Sequence, residues 1–156
     1  MLPEELKNKI TELLPAASFE EGANAASGWV TMNIEAADWL PLAKNLKQDH
    51  LLAFDYLFCL TCVDWKTHLT MVYTLDSTTY RHNLVVKIKL DRNNPSIESV
   101  SEIWRTAEFH EREVYEMFGV NFLNHPDLRL LILPDGWEGK NPLRKDFDDS
   151  VNMIKL

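Results

Sequence analysis

The sequence predicts an α+β fold: an antiparallel or mixed sheet of about four strands covered by helices, with an extended C-terminal arm. Three observations carry that prediction. Successive segments in the middle of the chain alternate apolar and polar residues with period two. Segments on either side of them carry apolar residues at helical spacing. From Gly119 onward neither period persists.

Leu6, Ile10, Leu13 and Leu14 share one helical face behind Pro3, a residue suited to a helix start, and Pro15 ends the run. Trp29 to Ile34 alternates as a strand does. Asp38 to Gln48 reads as a second helix with Leu42 and Leu46 on one side, and Pro41 suits it only in the first turn. Three β runs follow. The first is Phe54, Tyr56, Phe58, Leu60 and Cys62, the second Leu69, Met71, Tyr73 and Leu75, and the third Leu84, Val86, Ile88 and Leu90. Each places its apolar residues on one face, as a half-buried sheet requires. Asp76 to Thr79 supplies a hairpin connection, and Asp91 to Pro95 closes the last strand. Ser99 and Glu102 have capping-box spacing, so a helix is expected from there to about Phe118, with Gly119 as its stop. Its apolar stripe would be Ile103, Ala107, His110, Val114 and Met117, and periodicity leaves a break near Thr106 open. One core is expected to unite Leu69, Met71, Tyr73, Leu84, Val86, Ile88, Val114 and Met117.

The chain thus divides into a globular domain, 1–118, and an arm, 119–156. Asn, Pro, Gly and Asp punctuate short apolar runs in the arm. It is too apolar for a free linker and too long for an ordinary loop, so it must lie on its own body or on another subunit.

Composition narrows the partners. The chain of 156 residues carries 16 Lys and Arg against 24 Asp and Glu, a net charge of −8. A nucleic-acid binder needs a basic face, and so does a protein gripping anionic lipid. No stretch reaches the ~20 apolar residues of a membrane span, and the N-terminus lacks the apolar core of a signal peptide. Two cysteines and no export signal suggest a reducing compartment.

Candidate chemistry is sparse. Cys59 and Cys62 have the spacing of a redox dithiol or a metal half-site, but they fall inside a strand pattern and lack a second ligand pair. They read as structural thiols. His110–Val114 begins like a zinc-protease helix motif, but Val114 stands where the second histidine is needed. Glu108, Arg112 and Glu116, four residues apart, read as a solvated ion-pair ladder or as a polar docking face, with Phe109 as an exposed aromatic beside it. No glycine-rich phosphate loop and no nucleophile elbow is present.

Several motifs in fixed order carry a resemblance. They are Glu111 to Gly119, His125 to Arg129, Leu133–Pro134, Trp137 to Gly139 and Pro142 to Asp146. Upstream stand Asp55 to Leu57, Leu60–Thr61, Val63 to Trp65 and Ile103–Trp104. The pattern resembles the 30-kDa-type subunit of respiratory complex I. Asn124 stands where that family usually has Gly, Leu130 where it often has a second Arg, and the segment from Glu138 to Arg144 is one residue longer.

The resemblance implies a non-catalytic subunit in the peripheral arm of a proton-translocating NADH:quinone oxidoreductase. It also implies residence at the cytoplasmic face of the inner membrane, held there through the complex. The neighbour would be the subunit related to the large subunit of nickel–iron hydrogenases, beside cluster-bearing subunits. No cofactor is implied in this chain; flavin and iron–sulfur clusters belong to other subunits. A homologous place in a membrane-bound hydrogenase, a formate hydrogenlyase or a ferredoxin- or F420-fed dehydrogenase is the alternative. The partner interface is expected at Phe109, Glu111, Arg112, Glu113, His125, Asp127, Arg129, Trp137, Arg144 and Lys145, with Phe122, Leu131, Ile132, Leu133 and Leu143 as apolar contacts.

Overall fold

A computed structural model describes residues 2–20, 29–149 and 151. The elements run α1 (Pro3–Leu13), β1 (Ser18–Phe19), β2 (Val30–Ile34), α2 (Ala36–Gln48), β3 (Tyr56–Asp64), β4 (His68–Asp76), β5 (Asn83–Asp91), β6 (Ser96–Glu98), α3 (Ala107–Phe118) and β7 (Asn121–Leu123). The three alternating runs are β3, β4 and β5, joined as an antiparallel meander. Strand β2 adds to β5 in parallel and β1 pairs antiparallel with β2, so the sheet is mixed, in the order β1-β2-β5-β4-β3.

The register turns period two into layers. Leu57, Leu75, Leu84 and Val30 line up across the strands, as do Leu60, Tyr73, Val86 and Met32, and then Cys62, Met71, Ile88 and Ile34. All twelve are buried. The helices cover this face, with α1 against β2, α2 against β5 and α3 against β3. Each such side chain contributes roughly 1.5–3 kcal/mol when taken from water.

Four expectations need correction. The first run does not keep one face. A bulge between Leu57 and Cys59 adds a residue, so Tyr56 and Phe58 point outward while Leu57 points in. Phe58 then meets Trp29 edge to face, with ring centroids 5.9 Å apart. Helix α2 begins at Ala36, which puts Pro41 in the second turn, with its ring on the exposed side.

The third helix begins at Ala107, not near Ser99. Residues before it form turns in which the N–H groups of Ile103 and Trp104 both donate to Val100 O. The Trp104 indole donates to Phe54 O at 2.9 Å, and the Thr106 hydroxyl donates to Leu57 O at 2.7 Å. These bonds anchor the turns to the start of β3 and override the capping signal. The buried residues of α3 include Ala107, Glu111, Val114 and Phe118, while His110 and Met117 are half-buried at the margin. Gly119 does end the helix, with φ +74°, and a Cβ there would lie 2.7 Å from the Asn141 side chain.

The body also extends past 118. Strand β7 pairs in parallel with β6, and Val120 and Phe122 are buried. Phe122 is therefore a core residue, not a contact of the arm.

Leu84→Ala should cost ~2–5 kcal/mol in urea denaturation, because Leu84 is fully buried at the centre of a row. Leu51→Ala, at an exposed position, should stay within roughly 0.5 kcal/mol of the parent.

Candidate docking site

Arg112 and Glu116 lie one turn apart on α3, yet they do not pair with each other. Both reach the arm's backbone. The Arg112 guanidinium donates to the carbonyls of Arg129, at 3.2 Å, and Leu130, at 2.7 Å. Glu116 accepts from the N–H groups of Leu131 at 2.8 Å, Ile132 at 3.0 Å and Leu133 at 3.2 Å. The carbonyls come first along the arm and the amides second, which matches a cation followed by an anion along the helix. Glu116 is 1% exposed. A buried carboxylate is costly unless its lone pairs are filled, and three amide donors fill them. Arg112 and Glu116 are therefore not a solvated ion pair; they hold an irregular segment in place.

A second tether lies further along. Leu143 N donates to Met117 O at 3.1 Å, and Arg144 Nε donates to Phe118 O at 2.6 Å. The arm thus satisfies carbonyls that the end of α3 leaves open. Lys145 N donates to Asp64 Oδ2 at 2.9 Å. Arg92 forks onto both oxygens of Asp64 at 3.0 Å and reaches Asp146 at 2.7 Å. The Arg92 hydrogen bonds hold the Asp64 carboxyl well below the usual carboxylate range, and they lower Asp146 as well.

The arm's entry is fixed by His125. Its side chain is buried, its Nε2 lies 3.0 Å from Glu108 O, and its Nδ1 lies 3.0 Å from the Asp127 N–H. Glu111, 0% exposed, accepts from Val100 N at 2.8 Å and from the Ser99 hydroxyl at 2.6 Å. Burial pushes its carboxyl up to about 7. Asn124 has φ +60°, a conformation that Gly and Asn tolerate.

The expected interface residues therefore separate. Glu111, Arg112 and the His125 side chain are buried and occupied within the body, and Arg144 is half-buried on Phe118 O. Their polar atoms are engaged by groups of the chain itself. Glu113 and Trp137 are half-buried, with Lys140 4.3 Å above the Trp137 ring. Asp127 and Arg129 pair with each other at 2.9 Å on the surface, and Lys145 is exposed, 5.9 Å from the Trp65 ring. Leu133 is half-buried. Outward stand Phe109 at 55% exposure, Leu131, Ile132 at 62% and Leu143 at 54%. The Arg112 guanidinium lies 5.8 Å from the Phe109 ring, so Phe109 adjoins the side chain that holds the arm.

Reading by residue type missed Asp64 and Arg92 altogether. One signal was present: Asp64 continues the inward series Leu60, Cys62, where a lone carboxylate needs a partner. Cys59 and Cys62 are free thiols, and burial pushes the Cys62 thiol up to about 12, far from a nucleophile's range. Among the described residues no group of three His, Cys, Asp or Glu is placed to hold a metal ion, and no helix is long and apolar enough to cross a membrane.

A family model described as the respiratory-chain NADH dehydrogenase 30 Kd subunit matches residues 32–151. The chain belongs to this family. The C subunit of the NADH-quinone oxidoreductase of Chloroherpeton thalassium is 44% identical over 117 residues, covering 74% of this chain and 48% of that one. The C subunit of the F(420)H(2) dehydrogenase of Methanosarcina mazei is 41% identical over 103 residues, covering 65% of each chain. The chain spans about half or less of the first curated relatives it matches. Among solved structures, a chain of the membrane-bound sulfane sulfur reductase, an archaeal respiratory membrane complex, superposes with a TM-score of 0.79 at 27% identity, covering 93% of this chain and 85% of that one. A trypsin-resistant fragment of Nqo5 shares the fold, with a TM-score of 0.69 at 22% identity, covering 82% of this chain and all of the fragment.

Glu111 gives the 30 Kd fold a testable pH dependence. Its folded-state value, about 7, lies above the ordinary 4.5, so the neutral form is favoured on folding. The stability this contributes is full below the ordinary value and is lost as pH rises through the folded one. Glu111→Gln should abolish that loss, worth roughly 3 kcal/mol, so the variant should gain on the parent as pH rises from about 5 to 8. Paired urea melts across that range measure it, and a constant difference between the two proteins would contradict the assignment.

Proposed function

We propose that the chain is a non-catalytic subunit in the peripheral arm of a proton-translocating NADH:quinone oxidoreductase. It docks onto the subunit related to the large subunit of nickel–iron hydrogenases and supports electron transfer that other subunits carry out. On this reading it sits at the cytoplasmic face of the inner membrane through its partners. Flavin and iron–sulfur clusters lie in those partners.

One observation carries the docking part. The arm's inner side is fixed by buried charges, while Leu131, Ile132 and Leu143 on the arm and Phe109 on α3 are exposed to solvent. Ordering an irregular loop costs ~1–2 kcal/mol per residue in backbone entropy, so a fixed loop with outward apolar side chains suits a surface prepared for contact. Arg129, paired with Asp127 on the surface, and Lys145 are exposed cations of the same segment, and such groups can meet partner carboxylates. Family kinship supports the assembly. A relative in Phocaeicola vulgatus, 47% identical over 104 residues, is a C/D subunit of the NADH-quinone oxidoreductase, two designations in one chain. Joining them in one chain keeps the two parts adjacent, which supports a direct contact between their counterparts here.

A second reading differs in the electron donor. The kinship with an F(420)H(2) dehydrogenase subunit favours a homologous place in an F420-fed assembly. A membrane-bound hydrogenase, a formate hydrogenlyase or a ferredoxin-fed dehydrogenase belongs to the same reading. Identifying the subunits that co-purify in mild detergent separates the two.

The docking surface is tested by Phe109→Asp combined with Ile132→Asp. Both positions are exposed, so the variant should melt within a few degrees of the parent. It should nevertheless recover little of the assembly on affinity purification, whereas Leu51→Asp, exposed elsewhere, recovers it normally. Full recovery by the double variant would refute the proposed surface.

A further inference from the structure

Asp64 gathers four donors where β3 turns into β4. The Lys66 N–H and Arg92 Nε reach Oδ1 at 2.7 and 3.0 Å, and the Lys145 N–H and Arg92 Nη2 reach Oδ2 at 2.9 and 3.0 Å. The Asp64 side chain is 1% exposed. Two of these donors fix the surroundings of one side chain. Lys66 N is the amide that follows Trp65, and Lys145 is the residue whose ammonium lies 5.9 Å from the Trp65 ring. Trp65 N also donates to His68 O at 3.0 Å, and the His68 ring lies stacked 6.4 Å from the indole. Lys66 takes φ +68°, which a lysine adopts at a cost, so the turn is held by its hydrogen bonds and not by the preference of its residues.

The side chain so framed is left outside. Trp65 is 57% exposed, whereas Trp29 is 39% exposed, Trp39 and Trp104 are buried and Trp137 is half-buried. A ring held on a rigid base presents a large apolar face to a partner at little entropic cost. The charges beside it are unanswered cations. Lys66 and Lys145 are exposed, and among the described residues neither pairs with a carboxylate, in a chain whose net charge is −8. Asp64 and Asp146 are taken by Arg92. The tethered segment that sets Lys145 against the ring also carries Leu143, 54% exposed, so the ring and the arm's outward apolar side chains are parts of one fixed surface.

We propose that Trp65 anchors a second contact with the protein partner that receives the arm: the indole enters an apolar recess of that partner, and Lys66 and Lys145 meet carboxylates on its rim. The proposal rests on the docking reading above and extends it from the arm to the β3–β4 turn. The partner's chemistry follows from the two parts of the site. The indole needs an apolar recess and the ammonium groups need acids, and a protein surface supplies both side by side. A cation beside an aromatic ring gains further once the partner excludes water from the pair. A lipid surface would call for an excess of cations, and this chain is acidic.

Competition within one cell tests the anchor. A tagged variant and the untagged parent are expressed together, and mass spectrometry reads their ratio in the assembly isolated in mild detergent. Trp65→Ala should fall about tenfold or more against the parent, the loss expected when an aromatic anchor is truncated. Trp65→Phe keeps a ring and should recover most of that loss. Lys145→Glu leaves the indole in place but sets an acid against the partner's acids, and it should also lose. All three variants change exposed side chains, so they should melt within a few degrees of the parent. Hydroxyl radicals should oxidise Trp65 readily in the free chain and far less in the assembly. Equal incorporation of Trp65→Ala, or undiminished oxidation of Trp65 in the assembly, would overturn the anchor. So would Trp65-dependent binding of the free chain to vesicles of equal parts phosphatidylcholine and phosphatidylglycerol, or Trp65-dependent dimers, which would give the ring a lipid or a second copy as its partner. If Phe109→Asp with Ile132→Asp enters the assembly equally while Trp65→Ala is excluded, the anchor stands and the surface proposed around the arm fails. The opposite pattern keeps that surface and removes the anchor.

Discussion

A single carboxylate sets the form of the arm. Glu116 is buried on α3, and the amides of Leu131, Ile132 and Leu133 converge on it. These donors lie outside any strand or helix, and the carboxylate meets amides where a cation would otherwise be needed. Each problem solves the other. Arg112, one turn earlier, does the same for the carbonyls of Arg129 and Leu130. Breaking such an arrangement by removing one partner leaves a buried group unpaired, which costs more than the net worth of any one bond. The segment is therefore ordered without regular secondary structure, and its apolar side chains are free to face outward.

The same economy of polar groups recurs around the body. The last carbonyls of α3 are taken by Leu143 N and Arg144, and Asp64 at the inward end of β3 is met by Arg92 and Lys145 N. The arm closes polar groups that the helix and the sheet each leave open. Phe122 belongs to the core, and residues as late as Asp146 are bonded to the body. The proposed docking role attaches to the outer side of this segment, not to a free tail.

Much of the sheet was legible because period two is a strong signal. Leu69, Met71, Tyr73, Leu84, Val86 and Ile88 all face the core as their alternation requires. The bulge at Phe58 was not legible, since an added residue leaves composition and spacing looking like an ordinary strand. The start of α3 is hidden for a different reason. Ser99 has the right spacing for a cap, but its hydroxyl is claimed by Glu111, twelve residues away, and no local pattern reveals that. Arg112 and Glu116 show the deepest gap. Four-residue spacing of opposite charges reads as a surface pair, and only the fold reveals that the arm's backbone is their partner. The motif Glu111 to Gly119 supplies the helix side of this contact, and the motif His125 to Arg129 leads into its arm side, Arg129 to Leu133.

Whether Glu116 holds the arm is decided by amide exchange at Leu131, Ile132 and Leu133 in the isolated chain. These three amides, though outside any helix or strand, should exchange far more slowly than those of a free peptide. In Glu116→Gln they should exchange much faster, while the amides of β4 and β5 keep their protection. If the three amides exchange at free-peptide rates in the parent chain, the arm is not held by its own body, and Glu116 does not set its form.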